Sequence, residues 1–293
     1  MSTKIHIVMA ADAGYQKGLE VAKASMIASC SEPERLEFHL YEEDPVLSKR
    51  ILREFGTYKG SPMTFLRLYL GELLPEVDWV IWSDVDTLWY RDVIELASLF
   101  DESKTIQWVK DADWAADELA EWCKANSVPM GSFDVARYAC AGVCILNLRR
   151  WRESYVLERC AEFAAKYGCP RFMEQDMLNI LLASESGMLP SCWDVLIPKP
   201  EDSFNCVLHI IDVGRCFKRP YHGKVVEYLW WEHEARRTEF RKPWSLPFFV
   251  RRWMVRLILP FADKFFCDRI YRRFAWRWFL RRFCVRRGMC CFR

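Results

Sequence analysis

Short apolar runs of strand length alternate with stretches of helical period through the first two-thirds of this chain. Lys4 to Ala10 reads as a buried strand ending in the polar segment Ala11-Asp12-Ala13-Gly14-Tyr15, and Lys17 to Cys30 follows at helical spacing. Leu36 to Tyr41 alternates like a strand, and Pro45 to Phe55 predicts a helix. Pro62 to Leu74 predicts another, with proline in its first turn. A further buried strand runs Val80-Ile81-Trp82-Ser83. Ile106 to Val109 repeats the strand pattern, Trp114 to Ala125 the helical one, and Tyr138 to Leu148 is apolar throughout. Trp151 to Tyr167 and Glu174 to Ala183 predict helices, the second with an acidic first turn that suits the positive end of the helix dipole. Cys206 to Ile211 is a late strand presenting His209. Strand, helix, strand, helix in this order predicts an α/β fold with a parallel, Rossmann-like sheet.

The strand at Val80 runs directly into Asp84-Val85-Asp86. Side chains two apart on an extended segment point the same way, so the two carboxylates converge at a strand end, where open α/β sheets place their ligands. Taken alone, the pair reads equally as a solvated turn or a helix cap. Two neighbours change the balance: the preceding strand is bulky and apolar, as a central strand is, and His209 sits among apolar residues late in the chain. Imidazole with carboxylates is a common ligand set for a first-row dication. Phosphatases of the haloacid-dehalogenase type also carry Asp-x-Asp after a strand. Their threonine stands two residues after the second aspartate and their motif lies near the N-terminus, whereas Thr87 follows Asp86 directly and the pair lies behind a complete first strand.

At 293 residues with 15% aromatic content the chain is long enough for one substantial core and too hydrophobic for disorder. Its net charge of +2 conceals a division: residues 236 to 293 hold 17 Lys and Arg against 3 Asp and Glu, and the remainder is acidic. No uncharged stretch reaches the roughly 18 to 20 residues of a spanning helix, and Ile5 to Ala10 is too short for the core of a signal peptide. The expectation is therefore a protein that is neither exported nor integral to a membrane. Thirteen cysteines without a Cys-x-x-Cys pair read as reduced thiols of a cytosolic protein.

The order and type of these segments over most of residues 4 to 220 resemble the retaining glycosyltransferases of family 8, especially bacterial lipooligosaccharide α-galactosyltransferases. The matching segments are Ala10-Ala11-Asp12 after the first strand, Thr64-Phe65-Leu66-Arg67-Leu68, Asp84-Val85-Asp86, Cys140-Ala141-Gly142-Val143 and Glu174-Gln175-Asp176-Met177-Leu178-Asn179. His209 with Gly214, Lys218 and Pro220 resembles the family's closing His strand and Gly-x-x-Lys-Pro loop, at altered spacing.

The resemblance implies a GT-A-type mixed sheet flanked by helices. It implies Mn2+ or Mg2+ held by Asp84, Asp86 and His209, and a UDP-hexose donor contacted by Ala10, Asp12, Tyr15, Asp84, Val85, Gly142, Glu174, Gly214 and Lys218. Arg67 would approach the donor sugar and diphosphate, and Gln175 and Asp176 the anomeric carbon. Gly14 stands where close relatives carry asparagine, as does Cys140, and Glu174 replaces an aspartate; these departures bear on the choice of donor.

From Arg236 onward arginines interleave with aromatics. Phe248, Phe249, Trp253, Leu257 and Ile258 share a helical face opposite Arg251, Arg252 and Arg256, and Phe265 to Val285 repeats the mixture. Such a basic amphipathic helical tail suits an anionic membrane interface, where each basic residue contributes about 1 kcal/mol. It carries more bulky apolar surface than a nucleic-acid arm requires. The expectation is two parts, a catalytic domain over residues 1–235 and a membrane-association tail over 236–293. Together they predict a peripheral enzyme on the cytoplasmic membrane face that moves a hexose to a saccharide or glycolipid acceptor, such as a lipopolysaccharide core. The rival expectation is a catalytically weakened membrane- or nucleic-acid-binding protein on the same scaffold.

Overall fold

The computed structural model describes residues 3–57, 61–196 and 205–209. The described residues all belong to one compact unit, which ends at His209. The basic tail, the expected boundary at 235/236, and Gly214, Lys218 and Pro220 lie outside the described residues. Among the described residues no helix is long and apolar enough to cross a membrane.

In chain order the strands are β1 (Ile5–Ala10), β2 (Leu36–Tyr41), β3 (Trp79–Ser83), β4 (Thr87–Trp89), β5 (Ile106–Lys110), β6 (Ala139–Asn147), β7 (Ser186–Leu189) and β8 (Val207–His209). The helices are α1 (Gln16–Ser29), α2 (Pro45–Glu54), α3 (Leu70–Leu73), α4 (Val93–Ala97), α5 (Asp113–Ala125), α6 (Leu148–Glu153), α7 (Val156–Tyr167) and α8 (Met173–Leu181). Six strands form one sheet in the order β2-β1-β3-β6-β5-β7, and β4 pairs with β8 in a separate ribbon. β1 runs parallel to β2 and β3, but β6 runs antiparallel to both of its neighbours, β3 and β5. The sheet is mixed, as the family resemblance implies, and not parallel as the order of segments alone predicts. Hydrophobic pattern reports burial and not direction: every residue of β6 is buried, which a central strand of either sense produces.

Alternation along the strands sends side chains to two cores. Val8, Trp82, Trp108, Cys144 and Leu146 pack on one face with Leu70, Leu119, Trp151, Phe163 and Leu178. Ile7, Met9, Ile81, Val143 and Ile145 pack on the other with Leu19, Ala22, Met26, Val93 and Leu96. Helix starts follow local chemistry. Asp44 accepts from the amides of Val46 and Leu47 at 3.0 and 2.7 Å with Pro45 in the first turn, and Asn147 accepts from Arg150 at 3.1 Å.

Two predicted helices differ from the observed ones. Residues 63–69 of the expected Pro62–Leu74 helix form a 3-10 helix before the short α3, and its buried residues include Phe65, Leu66, Arg67, Leu68 and Tyr69. A segment buried on all sides has no solvent face to impose the α-helical period, and the tighter coil threads it between layers. The Trp151–Tyr167 helix is broken at Tyr155, which is left-handed at φ 51° between α6 and α7. The ends of this bend are fixed elsewhere: Arg152 donates to the carbonyls of Leu74 and Val77 at 3.3 Å.

Candidate active site

The site lies where β3 ends. Beyond Ser83 the Asp84 amide still donates to the Gly142 carbonyl of β6 at 2.7 Å, which fixes the first aspartate against the sheet. The chain then reverses through a turn locked by Thr87. Its hydroxyl donates to the Asp84 carbonyl at 2.8 Å and lies 2.9 Å from Ser83 Oγ, and Trp89 Nε1 donates to both hydroxyls at 3.2 Å. The turn delivers β4, and β4 pairs with β8 so that Thr87 lies opposite His209. This short ribbon closes the sequence gap of more than a hundred residues between the aspartates and the histidine.

The imidazole of His209 is buried with its two edges facing different partners. Nε2 lies 3.2 Å from Asp86 Oδ1 and 3.9 Å from Asp84 Oδ2. Nδ1 lies 3.0 Å from Asp194 Oδ1 and 3.8 Å from the Cys140 thiol. Gly142 makes room for the ring: a Cβ there would overlap ring atoms Cε1 and Nδ1. Burial opposes protonation of His209, yet the carboxylates of Asp194 and Asp86 outweigh it and hold the imidazole pKa well above its ordinary value.

The two oxygens of Asp84 have separate tasks. Oδ1 accepts from Trp82 Nε1 at 2.6 Å and from Arg67 Nη2 at 3.1 Å, which turns Oδ2 toward the histidine. Arg67 is buried behind the acid, stacked over Trp82 at 4.6 Å, with Nη1 donating to the Ala141 carbonyl and Nε 3.5 Å from Glu174 Oε1. Burial raises the Asp84 pKa against the pull of Arg67 and His209. It pushes Glu174 up to about 8, again against Arg67.

Gln175 is held at both ends of its amide. Oε1 accepts from the Ala141 amide at 3.0 Å, and Nε2 donates to Asp111 Oδ2 at 3.0 Å and Tyr138 OH at 2.8 Å. Asp176 is buried with both oxygens engaged, by Tyr138 OH at 2.6 Å and the Phe172 amide at 2.8 Å. At the end of β1, Asp12 Oδ1 accepts from the Gly14 amide at 2.8 Å and its carbonyl receives the Tyr15 amide at 2.9 Å. Here α1 approaches the acidic turn so closely that a Cβ on Gly18 would lie 2.7 Å from the Val85 carbonyl oxygen. Ala10, Asp12 and Tyr15 are half-buried just ahead of that contact.

Asp194 is the residue that sequence reading missed. It follows Trp193 in a single 3-10 turn, where no periodicity or spacing marks it. Its side chain is fully buried, with Oδ1 3.0 Å from His209 Nδ1, and Oδ2 has no hydrogen-bond partner among the described residues. Asp111 and Tyr138, which orient Gln175, were also unmarked.

The residues fit a hard dication. The ligand atoms of Asp84, Asp86 and His209 all lie within 4.8 Å of one another, and two carboxylates with one imidazole match Mn2+ or Mg2+. Cys140, Asp194 and His209 form a second possible set around Nδ1, softer in character. Its members are all buried, whereas Asp84 and Asp86 keep 31% and 16% of their side chains exposed, so the acid-pair edge is the one open to a ligand.

Comparison with known proteins places this geometry. The pattern defining the family described as Glycosyl transferase family 8 matches residues 22–205. Two relatives from Arabidopsis thaliana are named probable galacturonosyltransferase-like 4 and 9. The first is 22% identical over 55% of this chain and 54% of its own length, the second 28% over 53% and 48%. The chain thus spans about half the length of these curated relatives. Among solved structures, the galactosyltransferase LgtC in complex with donor and acceptor sugar analogs superposes with a TM-score of 0.60 at 19% identity, covering 82% of this chain and 98% of that one. The bifunctional glycosyltransferase WbbM superposes at 0.62 with 16% identity, over 86% of this chain and 52% of that one. The fold is the GT-A arrangement of these transferases, and the chain belongs to glycosyl transferase family 8, a family of sugar-transferring enzymes.

Proposed function

We propose that this protein transfers a hexose from a UDP-sugar to a saccharide acceptor with retention of configuration, using Mn2+ or Mg2+ held by Asp84, Asp86 and His209. The observation that carries the reading is the meeting of those three side chains at the end of β3, beside a glycine whose missing side chain makes room for the imidazole. When bound, the dication supplies Lewis acidity to a diphosphate leaving group.

The chain's own residues do the rest. Trp82 and Arg67 fix Asp84 so that Oδ2 faces the ligand position. Asp194 balances the charge of His209 and orients its ring from the far side, the arrangement typical of a histidine that ligates through its other nitrogen. Ala10, Asp12 and Tyr15, at the end of β1 where α1 meets the acidic turn, are the proposed contacts to the nucleoside. Gly142 and Glu174 belong to the sugar end, and Lys218 and Gly214 are the proposed contacts to the diphosphate. Gln175, clamped by Ala141, Asp111 and Tyr138, offers a fixed amide toward the anomeric carbon. Asp176 has both oxygens occupied inside the fold, which favours same-face attack over a covalent intermediate on that carboxylate.

For the acceptor we propose a growing lipopolysaccharide or lipooligosaccharide core at the cytoplasmic membrane face, with the tail from Arg236 on an anionic leaflet. The tail's charge and aromatic content support this. Manganese-dependent hydrolysis of a UDP-hexose, abolished by Asp86→Asn, tests the chemistry; absence of both turnover and UDP binding would support the rival scaffold reading. Co-sedimentation with anionic liposomes tests the tail: the full chain should bind and a chain ending at Glu234 should not, and equal binding would remove the membrane claim.

A further inference from the structure

Another group of ligating side chains sits on two adjacent strands at one edge of the sheet. β2 is the edge strand, and β1 is its neighbour in the sheet. In the β1–β2 register His6 pairs with Glu37 and Val8 with His39, so His6, Glu37 and His39 project from the same face. The structure turns them inward upon one point. His6 Nδ1 lies 3.0 Å from His39 Nε2, and Glu37 Oε1 lies 3.8 Å from the first and 3.9 Å from the second.

We infer that His6, Glu37 and His39 form a binding site for Zn2+, a clip that fastens the edge strand β2 to β1. The donor set selects the ion. Two imidazoles and one carboxylate, the set found among the described residues, suit a borderline dication such as zinc and not the oxygen-loving Mg2+ or Ca2+. The spacing selects the geometry. Zinc bonds of about 2.0–2.2 Å at tetrahedral angles hold their ligand atoms roughly 3.3 Å apart, and the separations of 3.0, 3.8 and 3.9 Å bracket that value. Without the ion, one of the two facing ring nitrogens donates its proton to the other; when a dication binds, that proton moves to the far nitrogen of its own ring, and both facing nitrogens then offer lone pairs.

The setting is that of a built site. The two imidazoles are largely covered, at 26% and 19% exposed, and Glu37 is about half exposed at 48%, which leaves an approach for the ion and a fourth position for water. Both strands are regular β structure, so their backbones hold the ligands in place. The clip has a clear mechanical role. β1 ends at Ala10, immediately before Asp12 and Tyr15, and tying it to an edge strand stiffens the segment that leads there.

The test uses the full chain with Asp86→Asn, which removes one ligand of the candidate active site, and 15N-labelled histidine. The chain holds only five histidines, so each ring is assignable. One equivalent of ZnCl2 should move Nδ1 of His6 and Nε2 of His39 together to metal-bound shifts, while excess MgCl2 leaves both unmoved. Zinc affinity at this site, followed on the same resonances against a competing chelator, should fall at least tenfold in His39→Ala and severalfold in Glu37→Gln. The second variant changes an exposed side chain and keeps the test valid if the first fails to fold. The inference is overturned if zinc shifts neither ring or one alone, or if Glu37→Gln binds as the parent does. Because the active-site acid is already altered, either result is independent of the transferase reading.

Discussion

A single methyl group at Gly142 should disable the site. The Cβ of Gly142→Ala would overlap His209 Cε1 and Nδ1 and lie 3.2 Å from Asp194 Oδ2. The ring is buried and its backbone is tied into β8, and retreat toward Asp84 and Asp86 is limited by contacts of 3.9 and 3.2 Å respectively. Over-packing of this kind costs about 1–3 kcal/mol, which lowers the melting temperature of a unit this size by roughly 5 °C. The functional effect is larger than the structural one, because metal ligation tolerates only about 0.2 Å of misplacement. Mn2+ affinity, measured by isothermal titration calorimetry, should fall about 100-fold, comparable with a displacement of about 1 Å at a catalytic centre. Wild-type affinity in a folded Gly142→Ala protein would refute the placement of His209 against β6.

Two further outcomes follow from the surrounding charges. Asp194→Asn should weaken Mn2+ binding about 10- to 100-fold by removing the carboxylate behind the ligating ring, read by the same titration; an unchanged constant would show that Asp194 does not act through His209. Glu174 titrates near 8 when folded and near its ordinary 4.5 when unfolded, so the native state binds more protons between those values. Stability from this group is therefore full below about pH 4.5 and is lost as pH rises toward 8. In urea denaturation Glu174→Gln should lack that decline, which is on the order of a few kcal/mol, and a wild-type curve without the excess loss would contradict the burial argument.

The legible parts of this protein were those that hydrophobic pattern controls. β1, β3 and the apolar stretch around β6 stand out as runs of buried side chains, and the acidic turn is visible because two carboxylates directly follow one of them. His209 was visible for the same reason, an imidazole among apolar residues. The direction of β6 was not, since a strand buried on both faces carries no mark of its sense. β4 and β7 are three and four residues long, too short for periodicity to register, yet β4 is the element that brings His209 to the aspartates. Asp194 lies in an irregular segment and acquires its role only through the fold. The break at Tyr155 and the 3-10 helix at Met63–Tyr69 are likewise imposed by packing, against local sequences that would support a continuous helix. The position of Arg67 shows a related limit. The resemblance implies that it approaches the donor, and its burial and its hydrogen bond to Asp84 come into view only in the structure.

The central claim is that one dication is bound between two acids and the imidazole of His209. Electron spin-echo modulation of the Mn2+-loaded protein tests it most directly, because the nitrogen of a ligating ring imprints its own frequency on the metal's signal. A single histidine nitrogen coupling that vanishes in His209→Gln is the result expected. Bound Mn2+ without any nitrogen coupling, or a coupling that survives His209→Gln, would contradict it.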